Sequence, residues 1–404
     1  MKRALKFFLV FAITAAGVYA MVIGLNFSAF KSLFANADGM ADGAEYIENT
    51  YSLKTLTEFI GEKPEFVSIV SYNVNDPDSG IFYGADIPRT MGALGNIFLL
   101  IEYERQVAEG ILNQDDLVEL DEIEKYLLPQ INQNAHEGAM AYLTEDETPI
   151  TNDEAIQAMV QFNSLAIADY FWFKLGEANI STLMDTLALP STELPVPFSG
   201  IYTVFAPNLT PSTSEEASIN IAAKSAMKRD SLFMQMIEIA SEYERVEQFN
   251  SLRKDVMEKD RIDMSFIEER DALALFPQTT AADITNLLAR LWKNEIISKE
   301  VSEAVKDKMG WALNSDSMKR SFSDYGAFYD GRMGMLSGID FGTSAYDGHT
   351  SVQAVFFDKL PVAFWLHMSA NHMQEDYQQR LIWDPALYET TIQQIELNNE
   401  TQNN

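Results

Sequence analysis

Residues 87–106, IPRTMGALGNIFLLIEYERQ, place two glycines, an alanine and an asparagine where an apolar helix is expected to begin. Main-chain N–H groups at a helix start are free to bind an anion, and small side chains leave them accessible. Small residues at this place also permit close packing against a neighbouring strand. The stretch therefore predicts either an anion site, with Arg332 as a second group, or a tightly packed helix start without chemistry.

The four histidines do not form a recognisable metal motif; they are His136, His349, His367 and His372. His367 and His372 are five residues apart across an expected strand-to-helix turn, whereas a helical zinc site needs an i, i+4 pair. The chain has no cysteine, which removes thiolate ligands, disulfides and a cysteine nucleophile. It also lacks the glycine motifs of P-loop and dinucleotide sites. We therefore predict no metal and no cofactor.

The order of elements along the chain indicates an α+β fold. A hairpin is expected first, with EFVSIVSYNV and IFYGAD as strands and NDPDSG as the turn. Helices follow, and one of them starts at TNDEAIQAMVQF, where Thr151 and Glu154 have the spacing of a capping box. Strands are expected again around FYDGRMGMLSGID, TSVQAVFFDKL and PVAFWLHMS, before a last helix. Both chain ends then contribute to one antiparallel sheet with a helical layer.

This order, from about Phe66 to Ile395, resembles the serine β-lactamase and penicillin-binding protein superfamily, and class A β-lactamases most. In that family an S-x-x-K motif opens the central helix; the serine is acylated and the lysine helps to remove its proton. Here MGALGN stands at that place, with Ala93 at the serine and Asn96 at the lysine. Alanine has no nucleophilic atom, and asparagine is no base near neutral pH. The resemblance therefore implies the β-lactamase/transpeptidase-like fold without its first catalytic motif.

The second family motif, S-D-N, lies on a loop that faces the nucleophile. Its counterpart here is Asn163, Ser164 and Leu165, in QFNSLAIADYF. Ser164 keeps a hydroxyl near the expected cleft, whereas a leucine replaces the amide that would hold the acyl side chain of a substrate. By the resemblance, this match is structural rather than chemical.

The third family motif, K-T-G, lies on the strand that borders the site. Arg332, Met333 and Gly334 occupy the corresponding place in GRMGMLSGIDFG. Arg332 keeps the positive charge that attracts a carboxylate and can bind one with two hydrogen bonds. Gly334 keeps a close backbone approach, and Met333 replaces the hydroxyl residue.

Three other residues could have taken over catalysis. Class A enzymes activate the deacylating water with a loop glutamate, but no surrounding pattern fixes Glu193 in that role. Ser164 and Ser337 are near the expected cleft, and each would need a base within hydrogen-bond reach. No lysine or histidine neighbours either serine in sequence, so the sequence assigns no catalytic residue.

Three functions remain open from the sequence. The first is a catalytically inactive β-lactamase-like protein that binds a peptidoglycan-type peptide or other carboxylate through Arg332 and Ser164, or that binds an envelope protein. The second is an active serine hydrolase, of β-lactamase or D,D-peptidase type, with an unrecognised nucleophile. The third is a structural module whose cleft is filled by side chains, with Met333 and Leu165 as the expected plugs.

Composition and charge set the expected partners and location. The net charge is −31, which repels phosphate backbones, so we predict no nucleic-acid partner. Residues 1–30 have basic residues before an uncharged run long enough for a hydrocarbon core of ~30 Å. They predict a single-pass inner-membrane anchor, with the rest facing the periplasm or the extracellular side. The alternative is a signal peptide cleaved after ANA, which ends at Ala37.

The sequence divides into three parts. After the predicted transmembrane helix at 1–30, residues 31–63 are expected to form a short tether and a first helix. Residues 64–400 are expected to form the β-lactamase-like domain. Within it, the charged stretch at about 214–271 has helical periodicity and predicts an inserted helical hairpin.

Overall fold

The computed structural model describes residues 37–128, 131–145, 149–205, 214–245, 265–310 and 322–402. Among these residues, none of the helices has the length and apolar character needed to cross a bilayer. The predicted membrane anchor at 1–30 lies outside the described residues.

A five-stranded antiparallel sheet forms the centre of the protein, with the strand order β2-β1-β7-β6-β5. The first hairpin of the chain thus pairs with the last strand, from Val67 opposite Phe357 to Asn73 opposite Ser351. The strands are β1 (Val67–Asn73), β2 (Asp76–Tyr83), β5 (Phe322–Arg332), β6 (Met335–Ser344) and β7 (Thr350–Phe357). The expected α+β architecture with one sheet from both chain ends is confirmed.

A large helical layer covers one face of the sheet. Alternate residues of the strands, such as Val70, Val352 and Phe356, point into this layer and are buried. A short ladder of β3 (Arg89–Thr90) and β4 (Gln278–Thr279) borders it. Its helices are α4 (Asn96–Ala108), α5 (Leu120–Glu124), α6 (Gln133–Leu143), α7 (Asn152–Phe162), α8 (Leu165–Leu175), α9 (Glu177–Leu187), α10 (Phe198–Phe205), α11 (Ser214–Ser225), α12 (Arg229–Arg245), α13 (Phe266–Asp271), α14 (Ala281–Trp292) and α15 (Lys299–Met309).

Helices from the two chain ends cover the other face. Val67, Val355 and Phe357 of the strands are buried against them in a second apolar cluster. These helices are α1 (Ala37–Ala41), α2 (Ala44–Asn49), α3 (Leu53–Glu62), α16 (Val362–Ala370), α17 (Met373–Trp383) and α18 (Pro385–Gln402). The sheet is therefore buried on both faces.

Local sequence signals set several helix starts. The predicted capping box is present: the Thr151 hydroxyl accepts a hydrogen bond from the Glu154 N–H, and the Glu154 carboxylate accepts one from the Thr151 N–H. At the start of α14, the Thr280 hydroxyl accepts a hydrogen bond from the Asp283 N–H. These caps satisfy N–H groups that have no partner inside the helix.

Two expected strands differ in the structure. The stretch FYDGRMGMLSGID is two strands, because Met333 and Gly334 form a two-residue hairpin turn and Gly334 has a φ of +82°. PVAFWLHMS is the helix α16. Its apolar residues fit a strand as well as a buried helix, and contacts remote in sequence decide between them: Asp42 accepts a hydrogen bond from the N–H of Val362 at 3.2 Å.

The segment expected as a short tether is packed onto the domain from residue 37 onward. Residues 37–41 and 44–49 are helical, and the Asp42 carboxylate lies 2.5 Å from the Arg270 guanidinium. The turn of the first hairpin is also shorter than expected, since β2 already begins at Asp76. Of the predicted insertion, residues 246–264 lie outside the described residues, and α11, α12 and α13 are helical.

Candidate functional site

The start of α4 is a closely packed helix entrance. A 3₁₀ turn, Gly92–Gly95, leads into it, and Ala93 is fully buried. The N–H of Ala93 donates a hydrogen bond to Oδ2 of Asp330, over 2.7 Å. Gly92 has a φ of +53°, and a Cβ at this position would overlap with the same carboxylate oxygen. The helix start therefore does hold an anion, and the anion is a side chain of the protein itself.

Arg332 is the second partner of that carboxylate. Its Nε lies 2.9 Å from Asp330 Oδ2, and its Nη1 donates to the hydroxyl of Tyr202 over 3.0 Å. The Arg332 side chain is only 8% exposed. Burial lowers the pKa of Arg332, but the Asp330 carboxylate and Tyr202 outweigh it, and the net pKa is raised. Arg332, the residue expected to bind an external carboxylate, is therefore engaged by an internal one.

Aromatic rings close the space above this ion pair. The Arg332 guanidinium lies 5.2 Å from the ring centre of Phe198 and 5.8 Å from that of Phe276. A small pocket beside Gly92 and Asn96 has a volume of about 10 Å³, which is room for about one water molecule. Asp330, Arg332 and the two phenylalanines therefore pack together beside the start of α4, whereas the sequence had suggested Met333 and Leu165 as the groups that would fill a cleft here.

Asn96, at the position of the family's lysine, is buried and lines the small remaining space. Asp169 of α8 lines it too and accepts hydrogen bonds from the N–H groups of Phe198 and Ser199, at 2.6 and 2.7 Å. Burial raises the pKa of Asp169 to about 7. Sequence reasoning missed Asp169; the available signal was a single acid in the apolar run LAIADYFWF.

The second motif position lies beside the strand β5. Asn163 has a φ of +55°, and its side-chain amide donates to the carbonyl of Tyr329. Leu165 is buried at the start of α8, and its N–H donates to Asn132 Oδ1 over 3.0 Å. These contacts join the loop between α7 and α8 to its neighbours, so this part of the resemblance has a structural role here.

Ser164 has a base within reach that its sequence neighbours did not reveal. Its hydroxyl lies 2.9 Å from Nδ1 of His136, whose Nε2 lies 3.0 Å from the carboxylate of Glu124. A serine, a histidine and an acid in one hydrogen-bonded chain have the composition of a hydrolase triad. However, Ser164 is fully buried, and its oxygen also accepts the Ile167 N–H that caps α8.

The third motif position contributes only Arg332 to the site. Met333 and Gly334 form the turn between β5 and β6 and do not lie on the strand that borders the site, where the sequence match had placed them. The close approach at Gly334 is made to the side chain of Arg270. Ser337 is fully buried, opposite Asp330 in the β5–β6 ladder.

Glu193 forms part of the packing around the site. Its two carboxylate oxygens pair with Nε and Nη2 of Arg229, at 2.9 and 2.6 Å, and one of them also accepts the Gln278 N–H. A carboxylate with all these partners is held in place by them.

The remaining histidines lie apart from the site. His367 bonds the carbonyl of Thr50, His349 is near Asp347, and His372 is near Glu375. Within the described ranges, no group of three or more His, Asp or Glu side chains is arranged to hold a metal ion.

Solved structures of β-lactamases are similar to this chain in fold. A β-lactamase from Chitinophaga pinensis is 13% identical with a TM-score of 0.48, and one from Sphaerobacter thermophilus is 12% identical with a TM-score of 0.47. Each comparison covers 83% of this chain and 99% of the other. A structure of PBP-A is 10% identical, with a TM-score of 0.44, over 80% of this chain and 96% of the other.

The sequence itself matches no protein-family profile and no curated protein. The similarity to these β-lactamases and to PBP-A is therefore one of structure, at 10–13% sequence identity.

Proposed function

We propose that this protein is a non-acylating β-lactamase-like protein that acts by binding, not by catalysis. The observation that carries the proposal is the hydrogen bond from the Ala93 N–H to Asp330. Ala93 offers no nucleophile, and its N–H is already used by a buried internal carboxylate that is paired with Arg332. A substrate acyl group would find neither an attacking atom nor space.

An envelope protein fits the structure better as the partner than a small carboxylate ligand. The expected ligand groups, Arg332 and Ser164, are both buried and already paired with other side chains. By contrast, Ile219 on α11 and Met234 on α12 are 61% and 71% exposed. We place the partner surface on these inserted helices, and we retain the anchor at 1–30 and the periplasmic or extracellular location as parts of the proposal.

Covalent probes test the absence of acylation. The full chain is incubated with a saturating fluorescent penicillin and, separately, with a fluorophosphonate, and labelling is read on a denaturing gel beside an active serine β-lactamase. We expect no labelled band from this protein. A band that resists boiling and disappears in a single serine variant would overturn the proposal.

A serine hydrolase built on Ser164 is the second candidate function. The 2.9 Å contact between its hydroxyl and His136 favours this reading, whereas its complete burial opposes it. The same probes decide between the two, because an active Ser164 gives a band that is lost in both Ser164→Ala and His136→Ala. Ser337→Ala serves as the control, since Ser337 has no histidine contact among the described hydrogen bonds.

A crosslinking experiment tests the partner surface. A photoreactive amino acid at Met234 is compared with one at Tyr346, which is 81% exposed in the turn between β6 and β7. The proposal expects one protein adduct at Met234 that is absent at Tyr346 and is lost when Ile219 is changed to Asp. Equal adducts at both positions would contradict a dedicated surface on the inserted helices.

A further inference from the structure

Arg229, at the start of the helix α12, connects this helix to two other segments around the buried site, one at Glu193 and one at residues 274–276. Arg229 pairs with the Glu193 carboxylate through Nε and Nη2. The same guanidinium donates to the carbonyls of Ala274, at 3.0 Å, and of Phe276, at 2.5 Å. Phe276 is one of the two rings beside Arg332, so the inserted helix α12 is bonded directly to the wall of the site.

The segment 195–205, which we call the cover, lies over the other side of the same site. Phe198 of the cover stacks on Arg332, and Tyr202 accepts a hydrogen bond from it. The cover is fixed at its beginning by Trp172, whose indole N–H donates to the Pro195 carbonyl at 3.0 Å. Asp169 fixes the N-terminus of its helix. The cover is therefore held by contacts at its N-terminal end and along the face that meets Arg332.

The helix α12 packs against the cover backbone to backbone. A Cβ on Gly200 of the cover would overlap with the carbonyl of Met236, and Met236 itself is fully buried. Glycine at this position therefore permits an approach that no other residue allows. The insertion therefore contacts the cover along α10. Through Arg229 it also binds Glu193 and the Phe276 carbonyl, which lie on the two sides of the cover in the sequence.

We propose that the inserted helix α12 is a latch that keeps the cover closed over the buried site at Ala93, with Arg229 as its central tie. In the latched state Asp330, Arg332 and the Ala93 N–H are sealed from solvent. Release of Arg229 frees Glu193 and the carbonyl of Phe276 together, so the cover and the wall of the site open as one unit. This proposal goes beyond the proposed function, because α12 would keep the cover closed whether or not the site can be acylated.

The absence of native cysteine allows a direct test. Ala93→Cys places one thiol at the site, and Val355→Cys places one in the apolar cluster on the opposite face of the sheet, where Val355 is also fully buried. The rate of thiol labelling by an aromatic disulfide reagent is measured for the full chain under native conditions. Arg229→Ala is then added to each cysteine variant.

We expect Arg229→Ala to speed labelling at position 93 about tenfold, which corresponds to about 1.4 kcal/mol, because the variant loses the bonds from Arg229 to Glu193 and to the Phe276 carbonyl together. Labelling at position 355 should be unchanged. Gly200→Ala should also speed labelling at position 93, because the added methyl group would push the cover away from α12.

Arg290→Ala is the matched control, because Arg290 of α14 also bonds a main-chain carbonyl, that of Leu187. It should leave the rate at position 93 unchanged. The proposal is contradicted if Arg229→Ala leaves the rate of labelling at position 93 unchanged. It is also overturned if labelling at 93 and 355 rises equally, since that result reports loosening of the whole fold.

Discussion

The main-chain N–H of Ala93 and the carboxylate of Asp330 are 2.7 Å apart and buried, although the two residues are 237 positions apart in the chain. This contact joins the first turn of the central helix to the strand β5, at the residue that the sequence resemblance aligned with the family's serine. A buried carboxylate needs such partners, because an unpaired charge in the interior is very costly. The Ala93 N–H and Arg332 are the partners that this carboxylate needs in the interior.

Removal of the Asp330 carboxylate should destabilise the protein strongly. In Asp330→Ala the Arg332 guanidinium is left buried without its counter-ion and the Ala93 N–H without its acceptor, so we expect a loss of about 3 kcal/mol or more in the free energy of unfolding. Asp330→Asn keeps an acceptor oxygen and should lose less. Urea unfolding followed by circular dichroism measures both values.

The control for both Asp330 variants is Asp324→Asn in the same strand. Asp324 is exposed, and substitutions at such positions usually change stability by about 0.5 kcal/mol or less. If Asp330→Ala is no more harmful than this control, the ion pair does not hold the site together.

Gly92→Ala should be destabilising for two separable reasons. The residue has a φ of +53°, which an alanine tolerates poorly, and its new methyl group would overlap with Asp330. Gly110 has a similar φ of +70° and open space around it. Gly110→Ala therefore reports the backbone strain alone, about 1–2 kcal/mol.

We expect the midpoint of thermal unfolding to fall clearly further in Gly92→Ala than in Gly110→Ala. Equal shifts would mean that the Asp330 carboxylate moves aside at no cost, in conflict with a rigid contact to Ala93.

Ser164→Ala should lower the stability of the protein. The variant loses the cap on α8 and leaves His136 without one partner, so we expect a cost of about 2 kcal/mol. Ser298 caps α15 through the N–H of Val301, and its described hydrogen bonds include no histidine. Ser298→Ala should therefore cost about 1 kcal/mol, the contribution of the cap alone. Chemical unfolding compares the two, and a smaller loss for Ser164→Ala than for Ser298→Ala would show that the His136 bond contributes nothing.

The sequence was sufficient for features that depend on local chemistry. The capping box at Thr151 and Glu154, the helix after MGALGN and the closing strand TSVQAVFF all follow from periodicity and caps, and the structure has each of them. The absence of a nucleophile at Ala93 could also be read directly, since it depends on one side chain.

Features that depend on contacts remote in sequence could not be predicted. PVAFWLHMS is mostly apolar and fits a strand as well as a buried helix, and a residue that contacts its helix, Asp42, is remote in sequence. The partners of Ala93 and Ser164 are 237 and 28 residues away. No pattern in the sequence connects these pairs, so the two contacts that define the site became visible only in three dimensions.

Stability should decrease as the pH rises from about 4 to about 7, in part because of Asp340. Burial raises the pKa of Asp340 to about 7, although the hydroxyls of Tyr325 and Tyr329 and the amide of Gln353 donate to its carboxyl at 3.0–3.1 Å. In the unfolded chain an aspartate titrates near pH ~3.9. Between these values the folded state holds a proton that the unfolded state has lost, and stability falls with rising pH.

Asp340→Asn removes this titration while it keeps an acceptor for the two tyrosines. We expect the free energy of unfolding to fall less in the variant than in the parent between pH about 4 and about 7, and the difference between the two proteins to stay constant at higher pH. Asp169, whose pKa is also raised to about 7 by burial, keeps part of the slope in the variant. The measurement is urea unfolding at half-unit pH steps, with Asp324→Asn as the control. Parallel profiles for the parent and Asp340→Asn would contradict a protonated Asp340 in the folded protein.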